Sequence, residues 1–375
     1  MGYSNVGTPK FYIDYLNYSR AIGVGGTVEA SGLNNTFPDN LNSLIGLNPT
    51  NTIRATKTGA YSPGEIDFYL YDGVENVFNG EKVWCGIFGH NFADSEDCHW
   101  AVGASDGTNW GWFDLLTPIV NTRTSFRTGT DYNGWSLFNC NAILSGNVRL
   151  SFYNLLRVNW DVKLSGFAIG KEYTMRHSPE LKLTMSREMD GVKRIRTKGG
   201  ADLVKHQYTK PAMWGEAGSW ELYSGTPTNQ ALSRIGRRTW SLSFNYLQGS
   251  DIFPMLSSLN PYGSTSPSGT PYSDTVPADD IWNHIQLNWE DIAQQWQNLD
   301  DDDPNYWWTD NTLLDSDNFY SQVVQKVQGS RLPFIFQPDS NNNNDFAICK
   351  FDKSFSFQQT APNLYSVKMK IREVW

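Results

Sequence analysis

The sequence predicts a mainly β protein, with an N-terminal β-sandwich of jelly-roll type followed by a second antiparallel β domain that carries an acidic, two-helix insertion. Three observations predict this. Up to about residue 170, short apolar or alternating runs recur between clusters of Gly, Asn, Asp and Ser; strict period-two alternation returns in later stretches; helical spacing is sustained only between residues 279 and 328. The chain has 375 residues, and a usual domain has about 100 to 200, so more than one unit is expected. The expected division is 1–170 for the sandwich, 171–259 with 330–375 for a discontinuous β domain, and 260–329 for the insertion.

In the first unit the strand signals are Ile66 to Tyr71, Val83 to Phe88, Ala101 to Gly103 and Val148 to Phe152. Between them lie Asp72-Gly73, Asn79-Gly80, Asp106-Gly107 and Asn133-Gly134, residue pairs that accept positive φ in tight turns.

The second unit alternates Leu181, Leu183 and Met185 against Lys182, Thr184 and Ser186, then Trp240, Leu242, Phe244 and Tyr246 against Ser241, Ser243 and Asn245. Each run predicts one buried and one wet face. Tyr365, Val367, Met369 and Ile371 alternate with Ser366, Lys368, Lys370 and Arg372 in the same way. So regular a C-terminal strand implies a sheet that receives it, and left unpaired it would suit assembly with another subunit.

Within the insertion, Asn260 to Pro277 reads as an exposed loop rich in Pro, Ser, Gly and Thr. Ile281, Ile285, Trp289, Ile292 and Trp296 follow at steps that share one helical face, with Asp279 and Asp280 in the first turn, where the helix dipole favours anions. A second helix is expected from Asp317 to Gln328, with Tyr320, Val323, Val324 and Val327 buried and Gly329 as its stop.

Charged residues form only 18% of the chain and aromatics 14%, a balance that excludes general disorder because so many large rings need burial or a partner. Met1 to Ile22 lacks a basic start with an apolar run, and no run of uncharged apolar residues is long enough to span a bilayer. Neither a signal peptide nor membrane insertion is expected. Cys85, Cys98, Cys140 and Cys349 are irregularly spaced, as suits buried thiols in a reducing cytoplasm. The net charge of −9 argues against nucleic acid as a partner.

The chemistry of catalysis is not signalled. There is no phosphate loop, dinucleotide glycine motif or Gly-x-Ser-x-Gly elbow, so the chain is not read as an enzyme and no cofactor is expected. Cys85, His90, Asp94, Glu96, Asp97, Cys98 and His99 are metal-ligating types without a ligating step such as Cys-x-x-Cys, and a structural role is the favoured reading. Asp300 to Asp303 lack EF-hand order, and a solvated acidic loop is favoured over a calcium site. Trp100, Trp110, Trp112 and Trp135 invite a glycan-binding reading, against which stands the core or interface role that aromatics usually have. Trp110 and Trp112, beside Asn109 and the Asp106-Gly107 turn, are the candidate surface contact.

Several stretches resemble virion proteins of tailed bacteriophages. Trp84 to Trp100 (WCGIFGHNFADSEDCHW) is similar to the strand and Gly-His-Asn pattern of lectin-like, galactose-binding-type jelly rolls carried by phage tail proteins. Gly236 to Pro254 (GRRTWSLSFNYLQGSDIFP), with Leu332 to Gln337 and Ala361 to Trp375, resembles the closing β domain of distal tail and baseplate components. The resemblance implies a homo-oligomeric virion component, assembled in the host cytoplasm, whose partners are copies of itself, other virion proteins and, as a candidate, a host surface glycan. Tail tip, baseplate, tube sleeve and head ornament remain open stations, because the acidic insertion departs from the compact distal tail pattern. A free carbohydrate-binding module and a polysaccharide-degrading enzyme are the rival functions.

Charge is partitioned along the chain. From Thr239 to Gln325 there are thirteen acids and no Lys or Arg, whereas Lys171 to Lys210 holds ten basic residues against five acidic ones. The expected assembly contacts are therefore Arg187, Lys193, Arg194, Arg196 and Lys198 on one side and Asp300, Asp301, Asp302 and Asp303 on the other.

Overall fold

The computed structural model describes residues 7–23, 25–31, 35–36, 40–48, 53–58, 64–70, 83–90, 98–105, 110–112, 114–120, 134–141, 147–154, 159–180, 184–188, 192–206, 213–214, 217–218, 237–252, 318–341, 346–352, 355–361 and 364–374. Within these the protein is mainly β, and every strand pair is antiparallel. The two expected β units share one sheet of eleven strands. Its order runs Thr184–Glu188, Arg237–Gln248, Leu364–Glu373, Ala347–Phe351, Phe334–Gln337, Lys10–Tyr12, Gly166–Thr174, Val83–His90, Gly134–Asn141 and Asp114–Val120, with Ser356–Ala361 also on the Leu364–Glu373 strand. Lys10–Tyr12 is the seam: Phe11 pairs with Tyr173 on one side and with Phe336 on the other. The boundary expected at residue 170 falls inside the strand Gly166–Thr174.

A second sheet of five strands, ordered Thr27–Ser31, Gly64–Tyr69, Asn147–Asn154, Cys98–Ser105 and Trp110–Trp112, covers the early half of the large sheet. The two inner faces meet through stacked Phe68 and Phe167, whose rings lie 4.2 Å apart, and through Trp100 and Phe138 at 5.2 Å. Three further strands, Asn159–Leu164, Ile53–Thr58 and Asn35–Thr36, add Val162, Leu164, Ile53 and Ala55 to the same core. Central strands of the large sheet are buried on both faces: Val83, Cys85 and Ile87 enter this core, while Trp84 and Phe88 join Tyr12, Leu137, Ile335 and Ile348 on the opposite side.

The first strand turns directly into a helix, Tyr15–Ile22. Asp14 caps it, its Oδ1 accepting from the amides of Leu16 and Asn17, and Gly23 closes it at φ 78°. This helix lies outside the region where helical spacing is expected, because its eight residues are too few to establish a period against the surrounding polar sequence. Its entry depends on Gly170: a Cβ there would stand 1.8 Å from the carbonyl oxygen of Ile13. No side chain larger than hydrogen fits that approach.

The helix expected at residues 317–328 exists as a shorter element wound as π over Tyr320–Gln325. Val323, Val324 and Val327 are buried, and Gly329 stops it at φ 69° while its amide reaches back to the carbonyl of Val324. The loop expected at 260–277 and the helix expected over Ile281 to Trp296 fall on residues outside the described ones, as do the turn pairs apart from Gly134.

Three expectations of the alternation are corrected. Met185 is exposed along with Thr184 and Ser186, because Thr184–Glu188 is the last strand of its sheet and neither face is covered. Tyr246 is 72% exposed and Leu247 is buried instead. The cause is a bulge between Phe244 and Leu247, where three steps along one strand oppose two along the other, from Val367 to Tyr365. The C-terminal strand is not left unpaired: it bonds to Arg237–Gln248 on one side and to Ala347–Phe351 and Ser356–Ala361 on the other.

Candidate assembly interface

Three residues beyond the edge strand Thr184–Glu188, the chain forms a two-stranded hairpin of Val192–Arg196 and Asp202–His206. Its turn is well specified. Thr197 and Ala201 exchange backbone and hydroxyl bonds of 2.9 to 3.1 Å, and Gly200 takes φ 86°, a value an L side chain rarely adopts. The tip residues Lys198 and Gly199 stand clear of the body, with nothing within 4 Å of a Cβ placed at Gly199.

Cross-strand pairing sets what each face displays. Ile195 opposes Leu203, whereas Arg194 opposes Val204 and Arg196 opposes Asp202. Successive residues point to opposite faces, yet all six are exposed, with Ile195 at 56% and Leu203 at 59%. Over Arg194–Arg196 and Asp202–Val204 neither side of the hairpin is covered. An isolated pair of strands is at best marginally stable in water, and an arm of this composition gains stability by seating against another surface.

Exposed large apolar side chains concentrate here. Met185, Ile195, Leu203 and Val204 lie on the edge strand and its hairpin, and Tyr246 lies on the adjoining strand; among the described residues only Ile22 is a comparable case elsewhere. Arg194 and Arg196 share the face of Val204, Ile195 and Leu203 share the other, and Lys198 stands at the tip. Among the described residues the edge strand is bonded to Arg237–Gln248 alone and ends its sheet.

No family model, no curated protein and no solved structure matches this chain.

Of the residues singled out in the sequence, the structure gathers Lys193, Arg194, Arg196 and Lys198 on one hairpin and places Arg187 on the strand that leads into it, opposite Arg238. Asp300 to Asp303 lie outside the described residues. Asp251, which opens the acid-rich span, is buried and pairs at 2.9 Å with Arg176 of the basic segment, so part of the charge partition is closed within one chain. Trp110 and Trp112 sit on a three-residue strand at the edge of the five-stranded sheet, opposite Ser105 and Gly103. Trp100 is a core residue.

The apolar members of the hairpin, Ile195, Leu203 and Val204, are not among the residues the sequence singled out. A signal for them exists: Lys198-Gly199-Gly200 separates two short runs rich in β-branched residues, Leu and Lys, which is a hairpin pattern.

Of the metal-type cluster, Asp94, Glu96 and Asp97 lie outside the described residues, and among those described no group of His, Cys, Asp and Glu is placed to hold a metal. Cys85 faces the inner core, and His90 lies beyond a bulge at Gly89 (φ 62°), beside Ser136, whose hydroxyl is 3.0 Å from Nε2. Cys98 and His99 belong to the other sheet. Burial holds the His90 imidazole neutral, its pKa lowered to about 3.

Proposed function

We propose that this protein is a structural subunit of a tailed-phage virion that assembles with copies of itself, at the tail tip, baseplate or distal tail. The observation that supports this reading is the concentration of exposed Met185, Ile195, Leu203 and Val204 on an edge strand and an uncovered hairpin. Monomeric soluble proteins rarely leave apolar side chains gathered on an unpaired sheet edge without a partner to take them. The mainly β fold, with its aromatic-rich core and sheet edge, suits a rigid shell or ring component. Station within the particle follows from the resemblance of the 236–254, 332–337 and 361–375 segments to distal tail and baseplate proteins.

The test is direct. Purified protein viewed by negative-stain electron microscopy is expected to form discrete rings or oligomers, and a specific antibody is expected to decorate one end of the tail of the particle that contains it. A protein that stays monomeric at all concentrations and is absent from purified particles overturns the reading.

A further inference from the structure

Resting on the assembly reading, we infer that the hairpin Val192–His206 is a docking arm for the acidic segment 274–317 of a second copy of this chain. The hairpin supplies one half of the contact. Arg194, Arg196 and Lys198 are exposed, Ile195 and Leu203 are exposed on the face opposite Arg194 and Arg196, and hydrogen bonds between Thr197 and Ala201 close the turn. A preformed arm loses little conformational freedom when it seats.

Charge chooses the occupant. Apart from Asp251, which Arg176 already engages, the Lys- and Arg-free span carries its twelve remaining acids between Asp274 and Asp317, among them Asp300 to Asp303. No other stretch of the chain offers such an excess of one sign. The same span holds Trp282, Trp289, Trp296, Trp307 and Trp308, large rings that match the apolar residues of the arm. Opposite charge speeds and registers the encounter, and burial of the Ile195 and Leu203 face against such rings supplies lasting affinity. An arm on one copy received by a different surface on the next is a heterologous contact, so repetition closes a ring or extends a filament.

Two full-length variants separate the possibilities. One carries Arg194→Glu, Arg196→Glu and Lys198→Glu; the other carries Asp300→Lys, Asp301→Lys, Asp302→Lys and Asp303→Lys. All the changed hairpin residues are exposed, so circular dichroism and melting temperature should stay as in the parent. Light scattering is expected to show association of each variant alone slowed about tenfold or more at low salt, the scale of electrostatic steering. An equimolar mixture of the two is expected to recover, because each arm then meets an opposite charge on its neighbour. Parent protein that assembles while both variants assemble equally fast overturns the inference and leaves the assembly reading standing. Slowed variants whose mixture fails to recover also overturn it, since the segments then meet within one chain. Parent protein that never assembles overturns both.

Discussion

Arg238 and Glu373 form a buried ion pair that locks the strand Arg237–Gln248 to the last residues of Leu364–Glu373. The carboxylate is wholly buried; its Oε2 accepts from the backbone amide of Arg238 at 3.0 Å and from Nε at 3.4 Å. The guanidinium also donates through Nη2 to the carbonyl of Phe346 at 2.7 Å and lies 5.0 Å from the centre of the Trp240 ring. Each charged group of the pair thus keeps partners where the fold removes it from water, and the pair lies in the strand next to the edge that carries the hairpin.

Removing one partner strands the other. Glu373→Gln is expected to cost about 3 kcal/mol or more, the usual penalty for an uncompensated buried charge, whereas Arg238→Met with Glu373→Leu together should recover most of it. Urea unfolding of these variants beside the parent measures this. A single variant that loses under about 1 kcal/mol would show that water reaches the pair.

At Gly170 the conflict is steric. Alanine would place its Cβ 1.8 Å from the Ile13 oxygen, which also accepts the Trp84 indole proton at 3.2 Å, so the backbone must shift and that bond with it. Gly170→Ala should lose about 3 kcal/mol, at the upper end of overpacking costs. Gly199→Ala, in open space at the hairpin tip, should stay within about 0.5 kcal/mol. Equal melting temperatures for the two would refute the close approach.

Asp14 gives the fold a pH dependence. Desolvation outweighs the amide bonds from Asn17, Leu16 and Ile169 and raises its pKa to about 7. The folded state therefore binds this proton more tightly than the unfolded chain, so the stability it contributes is complete below the ordinary carboxylate value and is lost as pH rises through about 7. His90 acts with the opposite sign: its contribution is complete above its ordinary value and is lost as pH falls toward about 3. Asp14→Asn keeps the cap and removes the buried charge. Each tenfold difference in proton affinity between the folded and unfolded chain is worth about 1.4 kcal/mol, so the variant should exceed the parent by a few kcal/mol at pH 8 and match it at pH 4. Denaturant midpoints across that range decide it, and parallel curves would mean that Asp14 ionises freely in the fold.

Period-two alternation is a local property, so the sequence alone identified the buried faces of Trp240, Leu242 and Phe244 and of Val367, Met369 and Ile371. The strand signals at 66–71, 83–88, 101–103 and 148–152 likewise coincide with strands of the fold, the first of them ending at Tyr69. Helical spacing with a terminal glycine located Val323, Val324, Val327 and Gly329 in the same way. What it could not determine depends on distant pairing. Lys10–Tyr12 joins the two β units by bonding to strands more than 150 residues away on one side and more than 300 on the other, and no local pattern in three residues specifies such partners. Tyr246 turns outward because a bulge against Val367 and Tyr365 shifts the register by one, which reverses every face beyond it. The candidate interface shows the division most sharply. Its positive charge stands in the sequence at Arg194, Arg196 and Lys198, but only the tertiary structure leaves Ile195 and Leu203 uncovered, because exposure is decided by what packs against a strand and not by the strand itself.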